Sequence, residues 1–239
     1  MPQGSVLGPV LFNIYIRSIY KTAEHLKFNI HGYADDHQIF KSFSTTEQFT
    51  IFATEIPECF EQIRKWMDEH YLLINPDKTE IIVFGHPSVL SKITINGLFL
   101  ENGVCIRFSP VVKNLGFMLD SELSFRPQVT KLKSKLFTKL RNISRMKPYL
   151  TSKQTNMLIQ GVIINGLDYC NSMYYGCHQS VINQLQSIQN RACRLIFGLK
   201  KRHSVNNYLK DLHWLKIEER IKFKILVMVF KSIHGLSPT

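Results

Sequence analysis

The chain is predicted to be α+β, a mixed first half followed by an all-helical second half, and three observations carry that expectation. The stretches "FNIHGYA" and "HQIFKSF" partly alternate on either side of a polar turn, as the two arms of a hairpin do. From Ser124 onward apolar residues recur at helical spacing almost throughout. The charge is also divided: residues 1–120 hold 10 Lys and Arg against 13 Asp and Glu, whereas residues 121–239 hold 20 against 5. The second half therefore carries the whole excess behind the net charge of +12. That asymmetry is open to two readings, a polyanion-binding half, 121–239, joined to a half with different work, 1–120, or a basic face that serves only solubility.

The elements follow in order. Val6 to Tyr20 reads as one helix, with Leu7, Leu11, Ile14, Tyr15 and Ile19 at helical spacing and Pro9 tolerated in the first turn. The hairpin comes next, around Asp35 and Asp36. Ser44 to Thr46 can cap a second helix that runs to about His70, with Phe49, Phe52, Ile56, Phe60, Ile63 and Met67 on one face and a kink or split at Pro57. In "LLINPDKTEIIVFG" an Asn-Pro-Asp turn leads to a short apolar strand, "EIIVFG", and short strands with Gly turns are expected over 91–120. Three helical stripes complete the chain: Val129, Leu132, Leu136, Leu140 and Ile143; Val181, Leu185, Ile188, Ala192 and Leu195; and Ile217, Ile221, Ile225 and Met228.

With 239 residues, 44% hydrophobic and 11% aromatic, the chain can bury a sizeable core and is not a disordered polymer. Its apolar runs, such as "VLGPVLFNIYI", are too short to span a membrane, and "MPQGSVLG" has no basic secretory region, so an intracellular protein without a membrane partner is expected. The five cysteines form no CxxC pair and match no common zinc spacing, which reads as reduced thiols.

Two adjacent carboxylates repel each other, and Asp35 beside Asp36 is open to two readings. One is a polar hairpin tip, where Asp is common. The other is a divalent-cation site, in which a hard ion takes carboxylate oxygens and relieves the repulsion.

The surrounding motifs bear on that choice. In order, "PQGSVLGPVLF", "YADD", "LLINPDKTEIIVFG" and "VKNLGFMLDSELSF" resemble the reverse transcriptase domain of non-LTR retrotransposons, the long interspersed elements. "YADD" is similar to the family's metal-binding hairpin, "PQGS" with the following "GP" to its template- and nucleotide-contacting turn and helix, and "NLGFMLD" to its primer grip. "LDYCNSMYYG", "IQNRACRLIFG" and "LHWLKIEERIKFKILVMVFKSIHGLSP" resemble the helical region that follows the polymerase core in such elements. The resemblance implies part of a polymerase palm, an antiparallel sheet with helices, over 1–120 and a basic, thumb-like helical region over 121–239.

It also implies roles. Asp35 would be the principal ligand of Mg²⁺, two ions being expected in an intact palm, with Asp36 as its near neighbour. Gln3, Gly4 and Tyr33 would contact substrate, Lys78 would protonate the departing pyrophosphate or steady the triphosphate, and Leu115 and Gly116 would lie in the primer grip. Lys131, Lys135, Lys139 and Arg145, with Lys200, Lys201 and Arg202, would meet phosphates without reading sequence. The implied partners are an RNA template, a DNA primer, their RNA–DNA hybrid and deoxynucleoside triphosphates, and an intact element would act in the nucleus.

The family places another metal-binding aspartate on a strand upstream of "PQG", where this sequence has Met1 and Pro2. Asp77, Glu80 and Asp120 have no context that marks them as its replacement. The expectation is therefore a fragment of an RNA-directed DNA polymerase with little or no activity by itself, its missing palm strand supplied by a separate chain or exon. The alternative is a non-catalytic basic module that binds nucleic acid.

Overall fold

Two short helices stand where the spacing predicts one in the computed structural model, which describes residues 5–99 and 105–237. They are α1 (Gly8–Ile16) and α2 (Ser18–His25), and they meet at Arg17, whose N–H reaches back three residues to the Ile14 carbonyl. The face that is buried is not the predicted one. Ile16, Ile19 and Ala23 are inside, whereas Leu7, Leu11, Ile14 and Tyr15 of the predicted stripe are exposed.

Helix α2 ends in a Schellman arrangement: the Phe28 N–H bonds the Ala23 carbonyl and the Lys27 N–H bonds that of Glu24, with Lys27 at φ 60° in the position glycine usually takes. Phe28 is thereby buried beside Ala23, and the chain enters the hairpin. Strands β1 (Asn29–Tyr33) and β2 (Asp36–Phe40) pair antiparallel from Asn29–Phe40 to Tyr33–Asp36, as the alternation predicts.

The second predicted helix runs through three segments: α3 (Gln48–Thr50), a π-helical turn (Ile51–Glu55) and α4 (Ile56–Glu69). Pro57 is the cause. Without an N–H it cannot serve the Ala53 carbonyl, and the ladder widens so that Ile56 N–H bonds the Ile51 carbonyl instead. The added residue turns Phe49 outward, while Phe52, Cys59, Ile63 and Trp66 face inward. Ser44 does not cap this helix with its hydroxyl, which meets that of Thr46; its N–H goes to the Glu47 carboxylate at 2.7 Å.

The segment "EIIVFG" is not a strand: among the described residues Ile81 alone forms a bridge, to Phe108. After α5 (Pro87–Leu90) come β3 (Gly97–Phe99) and β4 (Cys105–Arg107), an antiparallel pair whose Leu98 and Ile106 pack with Ile56, Phe60 and Ile81. Strands β5 (Val111–Asn114) and β6 (Phe117–Asp120) follow, and Leu115 and Gly116 between them both have positive φ.

By its contacts the chain divides into units 1–115 and 116–239. The second is built from α6 (Arg126–Met146), α7 (Ser152–Ile159), a π-helical turn leading into α8 (Asn165–Asp168), α9 (Gln179–Phe197), α10 (Asn206–Asp211) and α11 (Ile217–Ile233). Its core joins the predicted stripes of α6 and α9 to Ile217 and Ile221 of α11, but Met228 lies outside. Buried Gln189 donates to the Leu215 carbonyl at 2.9 Å, and Gln186 accepts from the Ile217 N–H at 2.9 Å. These two amides hold the start of α11 on α9. Arg220 adds a paired contact to the Asp168 carboxylate, so α8 and α11 are tied as well. All five cysteines are free thiols, and among the described residues no helix is long and apolar enough to cross a membrane.

Asp120 shapes the entry to α6. Its buried carboxylate accepts from the N–H groups of Ser124 and Phe125 at 2.9 and 2.7 Å, in a loop where Leu123 and Phe125 both have positive φ. Asp120→Ala leaves those donors unmet and is expected to cost about 1–3 kcal/mol in denaturant unfolding. Burial also pushes the Cys193 thiol up to about 11 and the Tyr174 hydroxyl up to about 12. The folded chain then keeps protons that the unfolded chain releases from its ordinary values of 9.0 and 10.0 upward. The stability these groups contribute is fully present below about pH 9 and is lost as the pH rises toward 12, a fall that urea midpoints will follow.

Candidate active-site hairpin

The β1–β2 hairpin displays its two faces differently. Side chains alternate along a strand, so Ile30, Gly32, His37 and Ile39 share one face while His31, Tyr33, Asp36, Gln38 and Phe40 share the other. The first is the inner face, since Ile30 packs on the core formed by α1, α2 and α4. On the outer face His31 and Phe40 stack with ring centroids 5.7 Å apart, and Tyr33, opposite Asp36, is 68% exposed. That exposure sets aside a core role for Tyr33.

Ala34 and Asp35 make the two-residue turn, and Ala34 carries φ 55°. A side chain in that region costs about 1–2 kcal/mol relative to glycine. Asp35 therefore sits at the strained tip, and Asp36 opens β2 beside it; both are exposed. The His37 Nδ1 lies 3.2 Å from the Asp35 carbonyl, and its Nε2 is buried without a hydrogen-bond partner.

Gly32 makes this close packing feasible. A Cβ there would lie 2.3 Å from the Tyr20 hydroxyl and 3.0 Å from His37 Nε2, so the bare backbone lets α2 and the His37 ring approach the underside of the hairpin. The sequence showed the glycine in "HGYADD" but not its reason, because Tyr20 is twelve residues away on another element. Lys41, just past β2, pairs with Glu55 of the π-helical turn, and its ammonium stands 4.9 Å over the Phe28 ring.

In kind, Asp35 and Asp36 fit a hard divalent cation, because both offer carboxylate oxygens at an exposed tip. In number they do not complete a two-ion site: among the described residues no three His, Cys, Asp or Glu side chains gather to hold a metal. Asp77 and Glu80 lie outside the hairpin, and Asp120 is occupied with backbone N–H groups.

The other predicted site residues are dispersed. Gln3 and Gly4 fall outside the described residues. Lys78, itself exposed, ends a single turn (Pro76–Lys78) held by Asn75, whose side chain accepts from the Asp77 N–H at 3.1 Å and whose carbonyl accepts from the Lys78 N–H. No hydrogen bond or ion pair joins Lys78 to the hairpin among the described residues. Leu115 is at φ 45° on an exposed turn, an unusual conformation for a bulky residue.

In the second unit Lys131, Lys135, Lys139 and Arg145 fall within an arc of roughly 120° on α6 at 100° per residue. None of them enters an ion pair among the described residues. Arg126, which the sequence reading passed over, joins Lys131 and Lys135 around an open groove of about 780 Å³ that Met118, Thr130 and Ser134 also line. Lys200, Lys201 and Arg202 are exposed in the turn after α9. That turn lies near the end of α6, since Lys147 donates to the Leu195 carbonyl at 2.6 Å and its ammonium is 3.5 Å from where a Gly198 Cβ would stand.

Comparison with known proteins adds to this geometry. The model of the reverse transcriptase (RNA-dependent DNA polymerase) family matches residues 1–119. Over 232 residues the chain is 25% identical to a probable RNA-directed DNA polymerase from transposon BS of Drosophila melanogaster, which covers 92% of this chain and 25% of that protein. It is 24% identical over 232 residues to the RNA-directed DNA polymerase from mobile element jockey of the same species, covering 93% of this chain and 24% of the relative. Against a probable RNA-directed DNA polymerase from transposon X-element, identity is 28% over 206 residues, covering 83% and 22%. The chain thus spans about a quarter of the length of these curated relatives. No solved structure matches it.

The packing under the tip gives a direct test. Gly32→Ala is expected to cost about 1–3 kcal/mol by overpacking, and Tyr20→Phe, which removes the nearest atom, to recover part of that loss. Equal destabilisation by Gly32→Ala in both backgrounds, read by denaturant unfolding, would refute the contact.

Proposed function

Since the chain belongs to the reverse transcriptase family of non-LTR retrotransposons, we propose that it contributes the metal-binding hairpin and primer contacts of an RNA-directed DNA polymerase. The observation that carries this reading is the exposed β1–β2 tip, with Asp35 and Asp36 together and Tyr33 across from Asp36. A deoxynucleoside triphosphate and the 3′ end of a DNA primer on an RNA template are the reactants. Unit 1–115 acts as part of the palm, and the basic helices beyond it act as the thumb.

Each side chain has a distinct task. Asp35 and Asp36 hold Mg²⁺, which when bound supplies positive charge to the attacking and leaving oxygens of an in-line phosphoryl transfer. Tyr33 offers an exposed ring against which the terminal nucleotide can pack. Lys78 can deliver a proton from Nζ to the departing pyrophosphate, and Leu115 with Gly116 bears on the primer backbone. Gln3 and Gly4 meet the template or the incoming nucleotide. On α6 the cationic arc and the Arg126 groove match a phosphate backbone, to which Lys200, Lys201 and Arg202 add a further contact. A further carboxylate, from outside the described residues, completes the ion site.

Primer extension on an RNA template with Mg²⁺ tests this reading, using the chain alone and the chain joined to the remaining polymerase segments of a transposon relative. Incorporation is expected in the joined form, with a loss on the order of a hundredfold or more for Asp35→Ala and a smaller loss for Asp36→Ala. Incorporation that survives Asp35→Ala would overturn the assignment.

A further inference from the structure

Gln38 Nε2 donates to Asn114 Oδ1 at 2.8 Å. This bond links two segments that are 76 residues apart in sequence and belong to the same unit. Gln38 is on the outer face of the hairpin, the face of Tyr33 and Asp36, and follows Asp36 by one strand repeat. Asn114 is the last residue of β5, immediately before Leu115 with its φ of 45°. The segment bearing Leu115 is therefore brought to the side of the hairpin on which the carboxylate and the ring are displayed.

We infer that Gln38 and Asn114 are a positioning pair that sets the place of Leu115 relative to Tyr33 and Asp36, and with it the place of the primer terminus. The inference rests on the functional reading above. A side-chain hydrogen bond exposed to solvent contributes little to stability, because water replaces it readily when broken. Its worth lies in geometry: neither residue touches the reacting atoms, yet an error of an ångström in a reactant's position slows chemistry severely. The partners are also chemically specific. The pair needs one amide N–H₂ facing one carbonyl-type oxygen, and either residue can turn to supply either group.

The test uses the full chain with an RNA template and a DNA primer ending in 4-thiothymidine, irradiated and mapped for cross-linked peptides. Wild type is expected to cross-link at the Tyr33 and Leu115 segments. Gln38→Ala or Asn114→Ala should lower the Leu115-segment yield about tenfold while leaving the Tyr33-segment yield, the primer–template affinity and the thermal midpoint unchanged. Asn114→Asp keeps an acceptor, and Gln38→Glu can accept from a turned Asn114, so each single variant should cross-link as wild type. Combining the two places acceptor against acceptor and should lose the Leu115 cross-link. A double variant that behaves as wild type, or alanine variants in which yield and midpoint fall together, would overturn the pair and leave the functional reading in place. Absence of both cross-links in wild type would instead defeat that reading and the pair with it.

Discussion

A two-stranded hairpin is marginal in water, since half of its surface finds no partner. The placing of Asp35 and Asp36 therefore depends on the seat beneath the hairpin, where α2 presents Ile19, Ala23 and the Tyr20 ring, and α4 presents Cys59, Ile63 and Trp66. Two local devices fix that seat. The Schellman end of α2 turns the chain into β1 and buries Phe28, and Gly32 leaves room for Tyr20 and His37 under the tip. Strain at Ala34 is held by these contacts, because the paired strands on either side leave the turn no other path.

The helical unit solves a different problem. Its apolar stripes would collapse in many registers if packing alone decided, and the buried amide of Gln189 with its neighbour Gln186 selects one of them. Their partners are the backbone groups of Leu215 and Ile217, so the satisfied pair also meets the otherwise open start of α11. With the core fixed from within, α6 can leave Lys131, Lys135 and Arg145 exposed to solvent and to polyanions. Charge on that helix is thus separated from the core: Lys131, Lys135 and Arg145 lie on a different face from Val129, Leu136, Leu140 and Ile143.

Much of this was legible in the residues. The hairpin at "YADD", the short strands after residue 91 and the stripes of α6 and α9 all followed from period and turn chemistry, which act over a few neighbours. Errors arose where the spacing allowed two apolar faces or where a single residue altered the register. In the first helical stretch Ile16, Ile19 and Ala23 have spacing as helical as that of Leu7, Leu11 and Ile14, and they are the residues buried, while the turn forced by Pro57 sent Phe49 outward. "EIIVFG" had the composition of a strand, but a strand also needs a neighbour along its length, and composition does not supply one.

By itself the sequence determined the α+β order, the adjacency of the two aspartates at a turn, the uneven charge and, through its motifs, the family. These are properties of residue identity and spacing. Only the tertiary structure decided that the Asp120 carboxylate accepts from the N–H groups of Ser124 and Phe125, that Arg126 shares a groove with Lys131 and Lys135, and that Gln38 meets Asn114. Each of these depends on groups that the chain brings together by folding, and the directions of their hydrogen bonds are set by backbone that no local pattern encodes.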